Sequence, residues 1–396
     1  MADLESFRAE LRDWLERHCP PSMREPADLE KDAYWGGRRD SHPNPEARAW
    51  CAAMASRGFT APTWPRAYGG GGLSREEARV LEQELRRLSA RPPLASIGIQ
   101  MLGPLILEVG SEAQKREHIP AMVRGEIRWC QGYSEPGAGS DLASLQTRCE
   151  DRGDHFVVNG QKIWTSYANH ADMIFCLVRT DPRLPKHEGI SFVLIDMDQP
   201  GVRTSPIRLI SGSSPFCQTF FDDARAEKRN LIGPWNGGWG LAKRLLQFER
   251  QSIGAGISRS VRRETPLPEI AKRYCGERDG RVADPLIRDR LASWQIRQHA
   301  LESTIRRSQD EARAGQAVGT ASSIFKLCGS ELNQEKFELL VEMLGVQGLG
   351  WEGEGFEAEE LAATRGWLRS KANTIEGGSS EVQLNIIGKR VLGLPD

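Results

Sequence analysis

The chain has 396 residues, 39% hydrophobic and 27% charged, with a formal net charge of −1. That length supports two or three domains around large cores, and the composition is that of a globular protein. The near-zero charge argues against a polycationic nucleic-acid binder, and no apolar run reaches membrane-spanning length.

Eight cysteines are scattered without a Cys-x-x-Cys pair. They predict reduced thiols and a cytoplasmic location rather than a disulfide frame. The N-terminus, Met1-Ala2-Asp3-Leu4-Glu5, lacks the basic-then-apolar pattern of a signal peptide. The seven histidines (His18, His42, His118, His155, His170, His187 and His299) form no ligand-spaced pair, so no metal is expected.

Residues 1–125 read as a helical domain. Phe7, Leu11 and Leu15 recur at helical spacing, and Ser74-Arg75-Glu76-Glu77 opens a helix running to Leu88. The Gly69-Gly70-Gly71-Gly72 run reads as a loop, because no strand precedes it as a dinucleotide fingerprint requires. Residues 126–235 change character. Trp129 to Asp141 is a turn rich in glycine, serine and carboxylate, suited to bringing backbone N–H groups close to a ligand. His155 to Val158, Asn159-Gly160 and Gln161 to Trp164 read as a hairpin with a two-residue turn. Met173 to Val178, Ile190 to Ile195 and Thr219 to Phe221 are further strand-like runs. They predict a small, barrel-like β-domain with mainly antiparallel pairing.

Residues 236–396 return to helix. Trp239 to Ile253, Pro285 to Ala314, Ser322 to Leu344 and Ser380 to Leu392 predict a four-helix bundle. Thr265 to Pro268 and Cys275 to Arg281 read as breaks or loops. The predicted fold class is therefore α+β, in the order helical, β, helical. On the first of these helices Leu241, Ala242, Leu245, Leu246, Phe248, Ser252 and Ile253 share one face. Lys243, Arg244, Gln247, Arg250 and Gln251 share the other, and Glu249 falls within the apolar face. A carboxylate there either pairs with a cation or holds its proton with a raised pKa, as a general base for a carbon acid requires. A shifted helix boundary would instead turn it outward.

Ser134-Glu135-Pro136-Gly137-Ala138-Gly139-Ser140-Asp141 resembles the flavin-facing signature of the acyl-CoA dehydrogenases. The resemblance extends along most of the chain. It includes Trp64-Pro65 with Tyr68-Gly69-Gly70, Gly110 to Lys115 with Ile119-Pro120, and Ile163-Trp164-Thr165-Ser166. It continues through Ile190 to Met197, Phe220 to Asp223 and Gly377-Gly378-Ser379-Ser380-Glu381-Val382-Gln383. It implies FAD, an acyl-CoA substrate, removal of the α-proton by a carboxylate and transfer of the β-hydrogen as hydride. The product is then a trans-2-enoyl-CoA, and electrons pass to an electron-transfer flavoprotein, as in β-oxidation of fatty acids.

By the same resemblance Gln131, Tyr133, Ser134, Gly139, Ser140, Trp164, Ser166, Ser379 and Glu381 contact the cofactor. Ser140, Arg250 and Gly377 contact the substrate. Two apart on a strand, Trp164 and Ser166 point to one face. Phe248-Glu249-Arg250 matches the members that keep the base on this helix. Glu376 is the alternative, one residue before the loop position that other members use and Gly377 occupies. Around Ala271 to Gly276 the family's Arg-x-x-Phe-Gly is missing, and Glu342-Met343-Leu344-Gly345-Val346 replaces Gln-x-x-Gly-Gly. A glutamate there is expected to repel a pyrophosphate. This pattern resembles the larger subunit of paired bacterial enzymes of the pimeloyl-CoA or steroid-side-chain type. It implies either a homotetramer or a heterotetramer with a second dehydrogenase-like chain. A flavin oxidase or monooxygenase of the same fold, and a flavin-poor structural subunit, are the competing readings.

Overall fold

The computed structural model describes residues 2–25, 32–39, 42–256, 265–314 and 321–395, leaving aside the side chains of residues 2, 249–256, 312, 313 and 321. The chain divides into two compact units. One comprises Met1–Ile207 and Pro215–Phe248, the other Arg208–Ser214 and Glu249–Asp396.

The first unit opens with five helices: α1 (Ala2–His18), α2 (Pro45–Ser56), α3 (Arg75–Arg87), α4 (Gly103–Val109) and α5 (Glu112–Val123). Leu11 and Leu15 of α1 are buried with Trp50 and Met54 of α2 and Val80 and Leu81 of α3. Ser74 caps α3 as expected. Its hydroxyl accepts from Glu77 N–H, and the Glu77 carboxylate reaches back to Ser74 N–H. Ser111 and Gln114 start α5 the same way, and the Gln114 amide also donates to the carbonyls of Arg229 and Leu231 at 2.8 Å.

The strands are β1 (Trp129–Gly132), β2 (Arg148–Asp151), β3 (His155–Ser166), β4 (Met173–Arg179), β5 (Ile190–Asp196), β6 (Val202–Ile207), β7 (Phe216–Glu227) and β8 (Leu231–Ile232). They form one sheet in the order β6-β7-β3-β2-β4-β5-β8, and β1 pairs with β4. Pairing is antiparallel except for β1 and β2 against β4. Along β4 the side chains alternate between two apolar clusters. Met173, Phe175 and Leu177 face one with Leu105, Ile106, Ile119 and Met122. Ile174, Cys176 and Val178 face the other, with Val193, Cys217, Phe221 and Ala224. The second cluster joins β5 to β7, which are not neighbours in the sheet, so the sheet curls around it as the barrel-like expectation required. All eight cysteines are free. Burial pushes the thiols of Cys149 and Cys176 up to about 12, which makes them inert.

The expected turn at Asn159-Gly160 is absent, because β3 runs straight through it. Asn159 and Asp223 instead exchange two hydrogen bonds, Nδ2 to Oδ1 at 2.9 Å and Asp223 N–H to Oδ1 at 2.8 Å. The register against β7 shifts between Val158 and Gly160, and this bulge accommodates the dipeptide within a continuous strand.

Helix α6 (Gly238–Gly256) follows. Ala242 and Leu245 are buried while Lys243, Arg244 and Gln247 are exposed, as the amphipathic pattern predicts. The second unit holds α7 (Leu267–Cys275), a two-stranded hairpin of β9 (Glu277–Arg278) and β10 (Arg281–Val282), α8 (Pro285–Arg313), α9 (Ala321–Leu344), α10 (Ala358–Ser370) and α11 (Ser380–Ile386). Arg290 pairs with Glu342 and Arg297 with Glu335, so α8 and α9 run antiparallel. The unit is helical as expected, with differences in detail. Pro268 lies in the first turn of α7, where its missing N–H costs nothing, so the segment starts a helix rather than breaking one. Asp279 and Gly280, both at positive φ, close the hairpin where a loop was expected. The last helix ends at Ile386 and passes into a π-turn, Ile387–Val391. Among the described residues no helix is long and apolar enough to cross a membrane, and no cluster of His, Cys, Asp or Glu suits a metal.

Candidate functional site

In the first unit, β1 delivers the chain into the glycine-rich turn. Glu135 and Ala138 exchange backbone hydrogen bonds at 3.0 Å, which closes the turn over Pro136-Gly137. The Glu135 side chain folds inward and is 8% exposed. One oxygen accepts from Gln146 N–H at 2.6 Å, the other from Thr147 N–H at 2.9 Å and from Lys162 Nζ at 2.8 Å. Burial alone raises the affinity of this carboxyl for its proton. Lys162 and these hydrogen bonds outweigh it and hold Glu135 below the usual carboxylate range. Lys162, 0% exposed, also donates to the Tyr133 carbonyl at 3.1 Å, and Ile163 N–H donates to the Ser134 carbonyl at 2.9 Å. The turn is thus fastened to β3 at two consecutive residues. Beyond it, Lys186 grips both oxygens of Asp141 at 2.9 Å, and Arg179 holds the carbonyls of Ala143, Leu145 and Lys186.

Trp164 and Ser166 both lie opposite inward-facing Thr165, as expected, but the strand is irregular there. A second bulge lies between Lys162 and Thr165, and Trp164 sits in the left-handed region at φ 61°. Its side chain is 51% exposed with its ring edge-on to Phe216, while Thr165 is fully buried beside it. A bulky residue in that backbone well stores strain, which the ladder on either side sustains. Ser166 is half-buried and pairs with Phe216. Among the described residues nothing accepts the N–H or the hydroxyl of Ser134, and Gly137 and Gly139 face open space. The first unit therefore brings Gln131, Tyr133, Ser134, Gly139 and Ser140 into one strand-and-turn segment, with Trp164 and Ser166 on β3. A cleft of about 480 Å³ runs behind the turn, lined by Glu135, Gly137, Thr147 and Gly160 but not by Ser134 or Trp164.

In the second unit, Gly377 and Gly378 lie at φ 66° and 95°, and Ser379 caps α11 by accepting from Val382 N–H. Gln383 donates to the carbonyls of Gly377 and Gly378 at 3.4 Å. The Glu376 carboxylate is engaged by Arg369 at 2.8 Å and Asn373 at 2.6 Å. Its own backbone N–H, then the Ser379 hydroxyl, hold the Glu381 carboxyl below the usual range. Lys326 is buried beneath this loop with no acceptor for its amine among the described residues, and burial pushes its pKa down against the pull of Glu376 and Glu381. Glu342 pairs with Arg290, so its charge is neutralised where repulsion of a pyrophosphate was expected.

Residue 249 follows Ala242 and Leu245 on α6 by seven and four positions, in line with the buried stripe. The side chains of Glu249 and Arg250 lie outside the described residues. The pairing of Glu135 with Lys162 was not anticipated. Its signal is the alternation of Phe156, Val158 and Lys162 on β3, which places a lysine at an inward position.

Three family models match the chain: acyl-CoA dehydrogenase, N-terminal domain, over residues 1–126; middle domain, over 130–224; and C-terminal domain, over 236–392. The chain is 36% identical to acyl-CoA dehydrogenase IpdE1 of Mycolicibacterium smegmatis and 37% identical to that of Mycobacterium tuberculosis. Each match covers 100% of this chain and 99% of the relative. Among solved structures, the Tcur3481-Tcur3483 steroid ACAD aligns with a TM-score of 0.77 at 30% identity, covering 100% of this chain and 98% of that one. A chain of the ChsE4-ChsE5 complex from Mycobacterium tuberculosis aligns with a TM-score of 0.74 at 29% identity, with the same coverage.

Proposed function

The chain belongs to the acyl-CoA dehydrogenase family, and on that premise we propose an FAD-dependent enzyme that converts an acyl-CoA thioester to its trans-2-enoyl-CoA. The single observation that carries the cofactor assignment is the clamped turn. It offers the unshared N–H and hydroxyl of Ser134 beside a half-exposed Trp164, which suits a flat, polar-edged ring. FAD, when bound, supplies the acceptor for the β-hydrogen. Gln131, Tyr133 and Ser134 orient the ring through backbone and hydroxyl groups, Trp164 covers it, and Ser166 offers a further donor. By the family resemblance Gly139, Ser140, Ser379 and Glu381 would add further contacts to the cofactor.

Glu249 takes the α-proton. Its position on the apolar line of α6 favours a carboxyl with raised proton affinity, as this step demands. Glu376 is less available for this step, because Arg369 and Asn373 already engage its carboxylate. Gly377, whose N–H is given to no acceptor among the described residues, donates to the thioester oxygen and stabilises enolate charge. Arg250 orients the substrate.

Electrons leave to an electron-transfer flavoprotein in the cytoplasm. The departure around Ala271 to Gly276 favours a second dehydrogenase-like chain that completes the distal cofactor site. Two solved relatives named as pairs, Tcur3481-Tcur3483 and ChsE4-ChsE5, support that reading, and the first is named a steroid enzyme. The substrate class is accordingly a bulky steroid-side-chain or dicarboxylic acyl-CoA. The test is FAD per polypeptide and native mass, for the chain alone and with a second subunit. About one flavin per chain in a homotetramer supports a self-sufficient enzyme. Flavin uptake only with the second chain supports the heteromer. No flavin in either preparation refutes the proposal.

A further inference from the structure

Lys162 has no part in the chemistry above, yet it is a fully buried ammonium. Such a charge costs several kcal/mol unless it is well paired. Glu135 supplies the pairing, but Glu135 is also held by the N–H groups of Gln146 and Thr147. Those two bonds already tie the carboxylate to the neighbouring chain. What the lysine adds is a positive charge on the carbonyl of Tyr133, 3.1 Å away.

That carbonyl and the N–H of Ser134 belong to one peptide group. A cation on the oxygen polarises the amide and makes its N–H a stronger donor. On the next peptide, Ile163 fixes the Ser134 carbonyl at 2.9 Å, so the N–H is held in one orientation. Among the described residues it donates to nothing.

We propose that Lys162 is a positioning residue which, through the Tyr133–Ser134 peptide, strengthens the hydrogen bond that Ser134 N–H gives to the flavin and so favours the reduced, more negatively charged cofactor. This rests on the FAD assignment of the preceding section. Glu135 moderates the effect by neutralising the ammonium.

The experiment uses the flavin-loaded enzyme, with its second subunit if uptake requires one. FAD content and the two-electron midpoint potential are measured by dye equilibration for the wild type, Lys162→Met and Glu135→Gln. Lys162→Met is expected to retain flavin and to favour the oxidised form by about tenfold, a midpoint lower by about 30 mV. Glu135→Gln removes the counter-charge, so its midpoint is expected to rise in acid, where the amine keeps its proton. Unchanged midpoints, or shifts of the same sign in both variants alongside flavin loss, mark a purely structural pair and overturn the proposal. If Lys162→Met does not fold, the sign of the Glu135→Gln shift decides. A wild type that binds no flavin overturns the FAD assignment itself. A flavin-bound wild type with unmoved variants overturns only the role of Lys162.

Discussion

Replacing Glu84 by glutamine removes the one charge that Arg8, Arg12 and Arg87 share. The carboxylate is 2% exposed on α3 and receives guanidinium groups from α1 and from its own helix at 2.7–3.0 Å. The Arg12 bond contributes most; Arg87 and Arg8 add to it against the cost of burial, and together they pull the Glu84 pKa to about 2. Against an ordinary glutamate near about 4.3, linkage gives about 3 kcal/mol at neutral pH. The arginine side chains are 27–47% exposed, so solvent screening reduces the expected figure to about 1–2 kcal/mol. The folded-state pKa is the depressed one. The stabilisation is therefore complete above the unfolded value and drains away as pH falls from about 4 toward 2. Hydrogen exchange at α1 and α3 is the suitable assay, because a chain of two units need not unfold in one step. Glu84→Gln should raise local opening by about 5–30-fold at pH 7, and the gap to wild type should narrow as the pH is lowered through that window. Equal protection at pH 7, or a gap that widens in acid, would show that the Glu84 charge does not hold α1 to α3.

Gly160→Ala should cost about 1–3 kcal/mol. Its φ is 145°, and a Cβ there would stand 2.7 Å from the Thr147 backbone, which β2 and the Glu135 clamp hold in place; thermal denaturation checks it. Trp164→Gly should leave the flavin-free protein within about 1 kcal/mol of wild type, because relief of the left-handed strain offsets the lost half-exposed ring. The same variant should hold FAD less tightly in equilibrium dialysis, and unchanged affinity would remove Trp164 from the cofactor site. Glu376→Gln should keep most acyl-CoA-dependent flavin reduction, and a dead variant would move the base from Glu249 to Glu376.

Elements with strong local chemistry were readable from the chain. Ser74 and Glu77 announce α3 because both halves of a capping box are present. The all-apolar run of β4 announces a strand buried on both faces. Edge strand β6 is polar and only half covered, so nothing in Val202 to Ile207 distinguishes it from a loop. Asn159-Gly160 misleads because a long-range pair with Asp223 overrides a local turn preference. Helix α10 follows a glycine-rich stretch and starts on Glu357 and Glu360, a cap without the usual serine or threonine. At the site, the glycine-rich turn was legible from its residues and its kinship. The Glu135–Lys162 clamp was not, because it joins residues 27 apart through a buried charge.

The proposed reaction is dehydrogenation of an acyl-CoA thioester with Glu249 as the base. The direct measurement is anaerobic titration of the flavin-loaded enzyme with a panel of steroid-derived, dicarboxylic and linear acyl-CoA thioesters, for the wild type and Glu249→Gln. Bleaching of the wild-type flavin with stoichiometric enoyl-CoA, slowed by orders of magnitude in Glu249→Gln with flavin content unchanged, is the predicted result. A wild-type flavin that no thioester reduces, or a Glu249→Gln variant that bleaches as fast as wild type, would contradict it.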